Sequence, residues 1–115
     1  MRKKVGNQGE ELAVQYLRQE GYRILNRNYY SRYGEIDVIC ERNGDIIFVE
    51  VKTRRSDRFG SAEESVTPTK QQRLRKTALH YLQQKKQPFK ELHFDVITVR
   101  LGGPKPVINH IKSAF

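Results

Sequence analysis

The sequence predicts an α/β domain, with one central mixed sheet and helices packed against it, and three observations carry that prediction. Two segments, residues 7–20 and 67–82, place apolar side chains at helical spacing. Five others, near 22–30, 34–40, 46–54, 92–99 and 107–111, are rich in β-branched and aromatic residues or alternate in polarity. The strands at 34–40 and 46–54 form a hairpin with one wholly apolar face, and such a face needs helices as cover.

In the first helix Ala13, Val14, Tyr16 and Leu17 form the buried stripe and Gly21 supplies the stop. Glu10 precedes Ala13, Val14 and Leu17 by three, four and seven positions, so it lies on or beside that stripe, while Glu11, Gln15 and Arg18 face water. An inward carboxylate wants a partner; the plainer reading is that Glu10 and Glu11 complement the positive end of the helix. Gly6 and Gly9 allow close backbone approach there, or loosen the end. In the first strand Tyr22 and Ile24 share a face and Leu25 takes the other. Tyr29, Tyr30 and Tyr33, set among Arg27 and Arg32, offer either base stacking or packing on a sheet edge.

The hairpin is the centre of the chain. Asn43-Gly44 between two strand-forming runs is the signature of a two-residue type I′ turn, and it fixes the register. Arg42 faces Asp45, Cys40 faces Ile47, Val38 faces Val49, Asp37 faces Glu50 and Glu35 faces Lys52. Ile36, Val38, Cys40, Ile47, Val49 and Val51 make the apolar face. The other face holds Ile39 and Phe48 near the turn, then Glu35, Asp37, Glu50 and Lys52 toward the open end. Opposed Cβ atoms stand roughly 5 Å apart, so facing carboxylates repel unless a proton, a cation or a metal lies between them. Two acids converging with a lysine suit metal-assisted phosphodiester hydrolysis, the carboxylates holding Mg²⁺ and Lys52 orienting water or stabilising charge in the transition state. A merely solvated strand face is the competing reading.

Residues 55–66 lack periodicity and read as a loop. With Arg54, Arg55 and Arg58 beside the acidic end of the strand, it is either a phosphate-tracking arm or a solvated connection. Thr67-Pro68 opens the second helix as N-cap and first-turn proline, with Leu74, Ala78, Tyr81 and Leu82 buried. Arg73, Arg75 and Lys76 leave that stripe toward solvent; Arg73 joins Lys70 as a candidate phosphate contact. Gln71 precedes Leu74 by three and Ala78 by seven, so its amide points inward near the helix start. Gln71 and Lys70 either reach the hairpin's charged end or belong to the surface. Residues 92–99 put Phe94, Val96 and Thr98 on one face and His93, Asp95, Ile97 and Val99 on the other, with Asp95 a second-tier candidate better suited to pairing a cation. After Gly102-Gly103-Pro104-Lys105-Pro106, residues 107–111 form an edge strand, and His93 and His110 look isolated.

A chain of 115 residues is one domain, 1–115, burying about two-thirds of its unfolded surface. With 22 Lys and Arg against 13 Asp and Glu, the net charge is +9, which favours a polyanion as partner, nucleic acid ahead of a membrane surface. Met1-Arg2-Lys3-Lys4-Val5-Gly6 is basic without a following apolar run, and no later stretch could span a bilayer, so a cytoplasmic protein is expected. The single Cys40 reads as a small buried hydrophobe; one cysteine makes no internal disulfide and no zinc knuckle.

The run Asp37…Glu50-Val51-Lys52 resembles the PD-(D/E)XK signature of restriction-endonuclease-like nucleases, and Glu10 resembles the extra helix carboxylate of Holliday-junction resolvases in that superfamily. Gly6-Asn7-Gln8-Gly9-Glu10, Gly34-Glu35-Ile36-Asp37, Phe48-Val49-Glu50-Val51-Lys52-Thr53-Arg54, Lys70-Gln71 and Phe94-Asp95-Val96 together resemble the YraN-like family of bacterial proteins across nearly the whole chain. That resemblance implies a restriction-endonuclease-like αβββαβ core. It implies a metal-dependent endonuclease site at Glu10, Asp37, Glu50 and Lys52, with Gln71 and Lys70 contributing and Mg²⁺ or Mn²⁺ held by Glu10, Asp37 and Glu50. Ile36 stands where the motif's name has proline, a position that orients chain rather than chemistry. Resolvases of similar build act as dimers on branched DNA, which raises a homodimer as an expectation, although no stretch announces a self-complementary surface. The functional expectation is hydrolysis of DNA at branched or distorted structures; the rival is a non-catalytic nucleic-acid-binding or accessory module of the same fold.

Overall fold

A computed structural model describes residues 4–55 and 66–115. The chain runs α1 (Lys4–Gln19), β1 (Arg23–Ser31), β2 (Gly34–Arg42), β3 (Asp45–Arg54), α2 (Pro68–Lys85), β4 (Leu92–Arg100) and β5 (Val107–Ile111). The strands form one sheet in the order β1-β2-β3-β4-β5. Only β3 and β4 are parallel, the other neighbours being antiparallel, so the sheet is mixed and α2 lies in the crossover that parallel pairing requires.

Each helix is set by its sequence. At the end of α1 the Tyr22 N–H returns to the Leu17 carbonyl at 2.9 Å, closing the helix as the chain enters β1. Thr67 caps α2, its hydroxyl accepting from the Lys70 N–H at 3.3 Å, with Pro68 in the first turn. The Asn43-Gly44 bend has φ of +54° and +88°, the left-handed pair that a type I′ turn needs, and Arg42 faces Asp45 as that turn dictates.

The sheet is covered on both sides. Ala13, Val14 and Leu17 of α1 pack on Val38, Cys40, Ile47, Val49, Ile97 and Val99. Leu74, Ala78, Tyr81 and Leu82 of α2 pack on Ile39, Ile46, Phe48, Phe94 and Val96. The central strand β3 is therefore apolar on both faces from Ile46 to Val49, as a strand between two helical layers must be. Cys40 is wholly buried, its Sγ 3.8 Å from the Ile47 carbonyl, and burial pushes its thiol pKa up to about 12.

Two expectations are corrected. Ile36 joins the α2-side cluster with Ile39 and Phe48, not the α1-side cluster of Val38. Strict alternation fails between Ile36 and Val38, at the residue where β2 leaves the β3 ladder; the β1–β2 register is the same on both sides of this point, Arg27↔Val38 and Tyr29↔Ile36, and its shift lies between Ile24 and Asn26. The β2–β3 ladder also ends at Val38↔Val49, so Asp37 and Glu50 approach through side chains instead of as a ladder pair. No helix among the described residues is long and apolar enough to cross a membrane.

Candidate active site

The site forms where the sheet opens. Beyond Val49 the β2 backbone no longer bonds β3, and the Asp37 side chain takes over: its Oδ2 accepts the Val51 N–H at 2.8 Å. This holds the carboxylate between the diverging strands, beside Glu50. Burial first, and then the Glu50 carboxylate, raise the Asp37 pKa to about 8 against the lowering pull of the Val51 N–H. Two acids whose fields conflict this strongly are a configuration that a cation relieves.

Lys52 stands two residues beyond Glu50 on the same face of β3. Its Nζ lies 3.2 Å from Glu50 Oε2, with both side chains mostly buried. Burial pulls the ammonium pKa down, but hydrogen bonding with Lys70 and the Glu50 and Asp37 carboxylates outweigh it, and the net shift is upward. Lys70 moves the opposite way, lowered by its contact with Lys52 and by burial. Lys70 thus reaches the charged end of the hairpin, the first of the two options its position in the sequence left open.

The third acid arrives from α1. Glu10 is 3% exposed, turned inward as its spacing predicts. Helix and strand approach closely here because residue 9 has no side chain: a Cβ on Gly9 would fall 1.9 Å from Thr53 Oγ1. Glu10 Oε1 accepts from Asn28 Nδ2 at 2.9 Å and lies 3.7 Å from the Arg27 guanidinium, while its charge also bears on Asp37. Asn28 was not among the sequence candidates. Its signal was an asparagine inside a strand, the residue that most readily tolerates the left-handed conformation found there.

The remaining candidates divide. Arg73 and Lys70 line a cleft of about 160 Å³ with Gly34, Glu35, Glu50 and Leu74, so both face the acidic centre. Gln71 is half-buried, and its Nε2 donates to the Val66 carbonyl at 3.1 Å, tying the start of α2 to the residue before its N-cap. Arg54 pairs in register with Arg100 of β4, and its Nε is buried without a hydrogen-bond partner among the described residues. Arg55 is exposed just past the end of β3, and Arg58 lies outside the described residues.

The donor set suits a hard divalent cation. Mg²⁺ is typically held by one or two carboxylates together with waters and substrate phosphates, and Asp37 and Glu50 are two such carboxylates. No three His, Cys, Asp or Glu side chains among the described residues are grouped to hold a metal ion by themselves. Glu10, engaged by Asn28, is a flanking acid.

A second polar cluster corrects the expectation that the histidines are isolated. His110 Nε2 lies 2.7 Å from Asp95 Oδ2, both side chains nearly fully buried, and His110 Nδ1 pairs with the Tyr16 hydroxyl at 2.9 Å. The Ser113 N–H donates to Asp95 Oδ1 at 2.9 Å. His93 pairs with Asp45 at 3.2 Å. Held by the His110 ring and the Ser113 N–H, Asp95 belongs to a cluster that joins α1, β4, β5 and the last residues of the chain.

Comparison with other proteins agrees with the motifs. A UPF0102 protein of Syntrophomonas wolfei is 53% identical over 115 residues, covering all of both chains. UPF0102 proteins of Alkaliphilus oremlandii and Caldicellulosiruptor saccharolyticus are 48% and 43% identical, the first covering all of both chains and the second 99% of this chain and 98% of its own. The profile described as "Uncharacterised protein family UPF0102" matches residues 9–99, a span that takes in Glu10, Asp37, Glu50, Lys52 and Lys70. The chain therefore belongs to the UPF0102 family, the YraN-like family that its motifs resemble.

Proposed function

We propose that this protein is a metal-dependent endonuclease that hydrolyses DNA phosphodiester bonds, acting on branched or distorted DNA. The observation that carries the reading is the convergence of Asp37 and Glu50 at the open end of the hairpin, with Lys52 Nζ 3.2 Å from Glu50. Mg²⁺ or Mn²⁺, when bound, supplies charge neutralisation at the phosphoryl oxygens and a water of lowered pKa. Asp37 and Glu50 hold the cation, and its charge favours the ionised form of Asp37, whose proton affinity burial and Glu50 otherwise raise. Lys52, on the same strand face as Glu50, is placed to orient the attacking water and to stabilise negative charge on the phosphoryl oxygens. Lys70 and Arg73 face the same cleft and hold the phosphates on either side of the cut.

One observation favours a second reading, a nucleic-acid-binding module without catalysis: Glu10, the third acid, is engaged by Asn28 and Arg27 instead of joining a closed ligand set. Both readings entail salt-sensitive DNA binding. They part on cleavage. Incubated with Mn²⁺ and a panel of duplex, junction, flap and single-stranded DNA, the wild type is expected to cut at least one substrate. Lys52→Ala and Asp37→Asn should lose at least about a hundredfold in rate while still folding and binding. An intact panel, or undiminished cutting by both variants, rejects the nuclease reading.

A further inference from the structure

Three features stand next to one another on the α2 side of the molecule, leading away from the acidic centre. The first is a row of cations. Lys70, Arg73 and Lys76 follow at three-residue intervals along α2, each advancing about 4.5 Å along the axis. Lys70 and Arg73 line the acidic cleft, and Lys76 lines the next depression along the helix. The second is that depression, a groove of about 360 Å³ walled by Tyr33, Lys76, Leu79, His80 and Gln83. It adjoins the cleft directly, since Tyr33 precedes Gly34 of the cleft wall and Lys76 lies one turn after Arg73. The third is the aromatic and apolar character of the groove. Tyr33 and His80 meet at 6.2 Å between ring centroids, and Leu79, 56% exposed, adds an apolar wall beside them.

The three tyrosines near the first turn are separated by the fold, with Tyr30 exposed on β1 away from the other two. Tyr29 is buried, its hydroxyl donating to Gln84 Oε1 at 2.6 Å, and it packs on Tyr81. Tyr33 remains at the groove, with the Arg32 guanidinium 5.1 Å from its ring centroid and hydrogen-bonded to its hydroxyl at 3.0 Å. Ring faces beside cations, at the end of a cationic row, are what a single strand with unstacked bases binds: phosphates pair with the cations and bases stack on the rings. A fully paired duplex has no free base face to offer, because its bases stack on one another.

We propose that the Tyr33–Leu79–His80 groove binds an unpaired nucleotide of the DNA strand whose backbone follows Lys70, Arg73 and Lys76, and so selects substrates with an unpaired stretch beside the scissile bond. This deepens the nuclease reading and rests on it for the position of the cut. Binding of the nucleotide itself does not require cleavage, so the two can fail separately.

The test is an equilibrium binding titration without divalent metal, by fluorescence anisotropy. It uses three DNAs of equal length and charge: a flapped duplex, the same flap with abasic residues, and a continuous duplex. Wild type should bind the normal flap about tenfold more tightly than the abasic flap, since stacking of a base contributes about 1–3 kcal/mol and 1.4 kcal/mol is a factor of ten. Tyr33→Ala should bind both flaps alike, and Tyr33→Phe, which keeps the ring, should restore the preference. Leu79→Glu, on a largely exposed side chain, tests the groove independently of Tyr33 and should also abolish the preference. If wild type binds the two flaps equally, or if Tyr33→Ala and Leu79→Glu both retain the preference, the proposal is overturned. A base preference that persists while the Mn²⁺ panel stays uncut would sustain the groove and reject the nuclease; cutting without the preference would do the reverse.

Discussion

Asp37 is where two demands on one side chain meet. Its Oδ2 supplies the acceptor that the Val51 N–H loses when the β2–β3 ladder ends, and that bond favours the charged form. Burial and Glu50 favour the neutral form more strongly and bring the pKa to about 8, against 3.8 for the ordinary group. Between those values the folded chain keeps a proton that the unfolded chain has released. Stability therefore falls as pH rises through this window, and the penalty is complete above the folded value. In metal-free buffer, thermal melts should show Asp37→Asn gaining on the wild type from pH 5 to pH 8, with the gap constant beyond about pH 9. An Asn can still accept from the Val51 N–H, so the comparison isolates the charge. A gap independent of pH would mean that Asp37 is ionised in the folded protein throughout.

At the scale of elements, the site depends on how closely α1 approaches β3, and Gly9 sets that distance. A methyl group there would collide with the Cβ and Cγ2 of Thr53 at 2.9 Å each as well as with its hydroxyl. Gly9→Ala is expected to lower stability by about 1–3 kcal/mol in denaturant melts despite the better helix propensity of alanine. Thr53→Ala should recover part of that loss. Full stability in the single variant would mean that α1 can shift outward at no cost. The sequence announces some of this architecture and hides the rest for physical reasons. Asn43-Gly44 makes the hairpin register readable because a two-residue loop admits only one pairing, and helical spacing alone turns Glu10 inward. The side taken by Ile36 was unreadable, since alternation is informative only along an unbroken ladder and the β2–β3 ladder ends at Val38, before Ile36 is reached. For Gln71 the helical spacing gives a direction but not a partner, and the partner proves to be the Val66 carbonyl. Asp95 and His110 lie fifteen residues apart, across a turn whose length leaves the register of β5 open.

At the scale of the molecule, a central strand covered on both faces leaves the chemistry at the strand ends, and the ends differ. At one, Asp37, Glu50, Lys52, Lys70 and Arg73 converge beside a cationic row; at the other, Asp45 pairs with His93. In a chain of net charge +9, the acidic pair is thus bordered by Lys52, Lys70 and Arg73, the cations to which the proposed DNA substrate would be drawn. The same two-sided cover gives the protein a built-in clock. Cys40 is the sole cysteine, sealed between the sheet and α1, with a thiol too weakly acidic to form thiolate near neutral pH. Alkylating reagents should leave it untouched in the native state and modify it only during openings that part the helix from the strands. Mass spectrometry of the labelled fraction over time would then read the opening rate of this molecule without any engineered probe, and prompt labelling under native conditions would mean that α1 leaves the sheet readily.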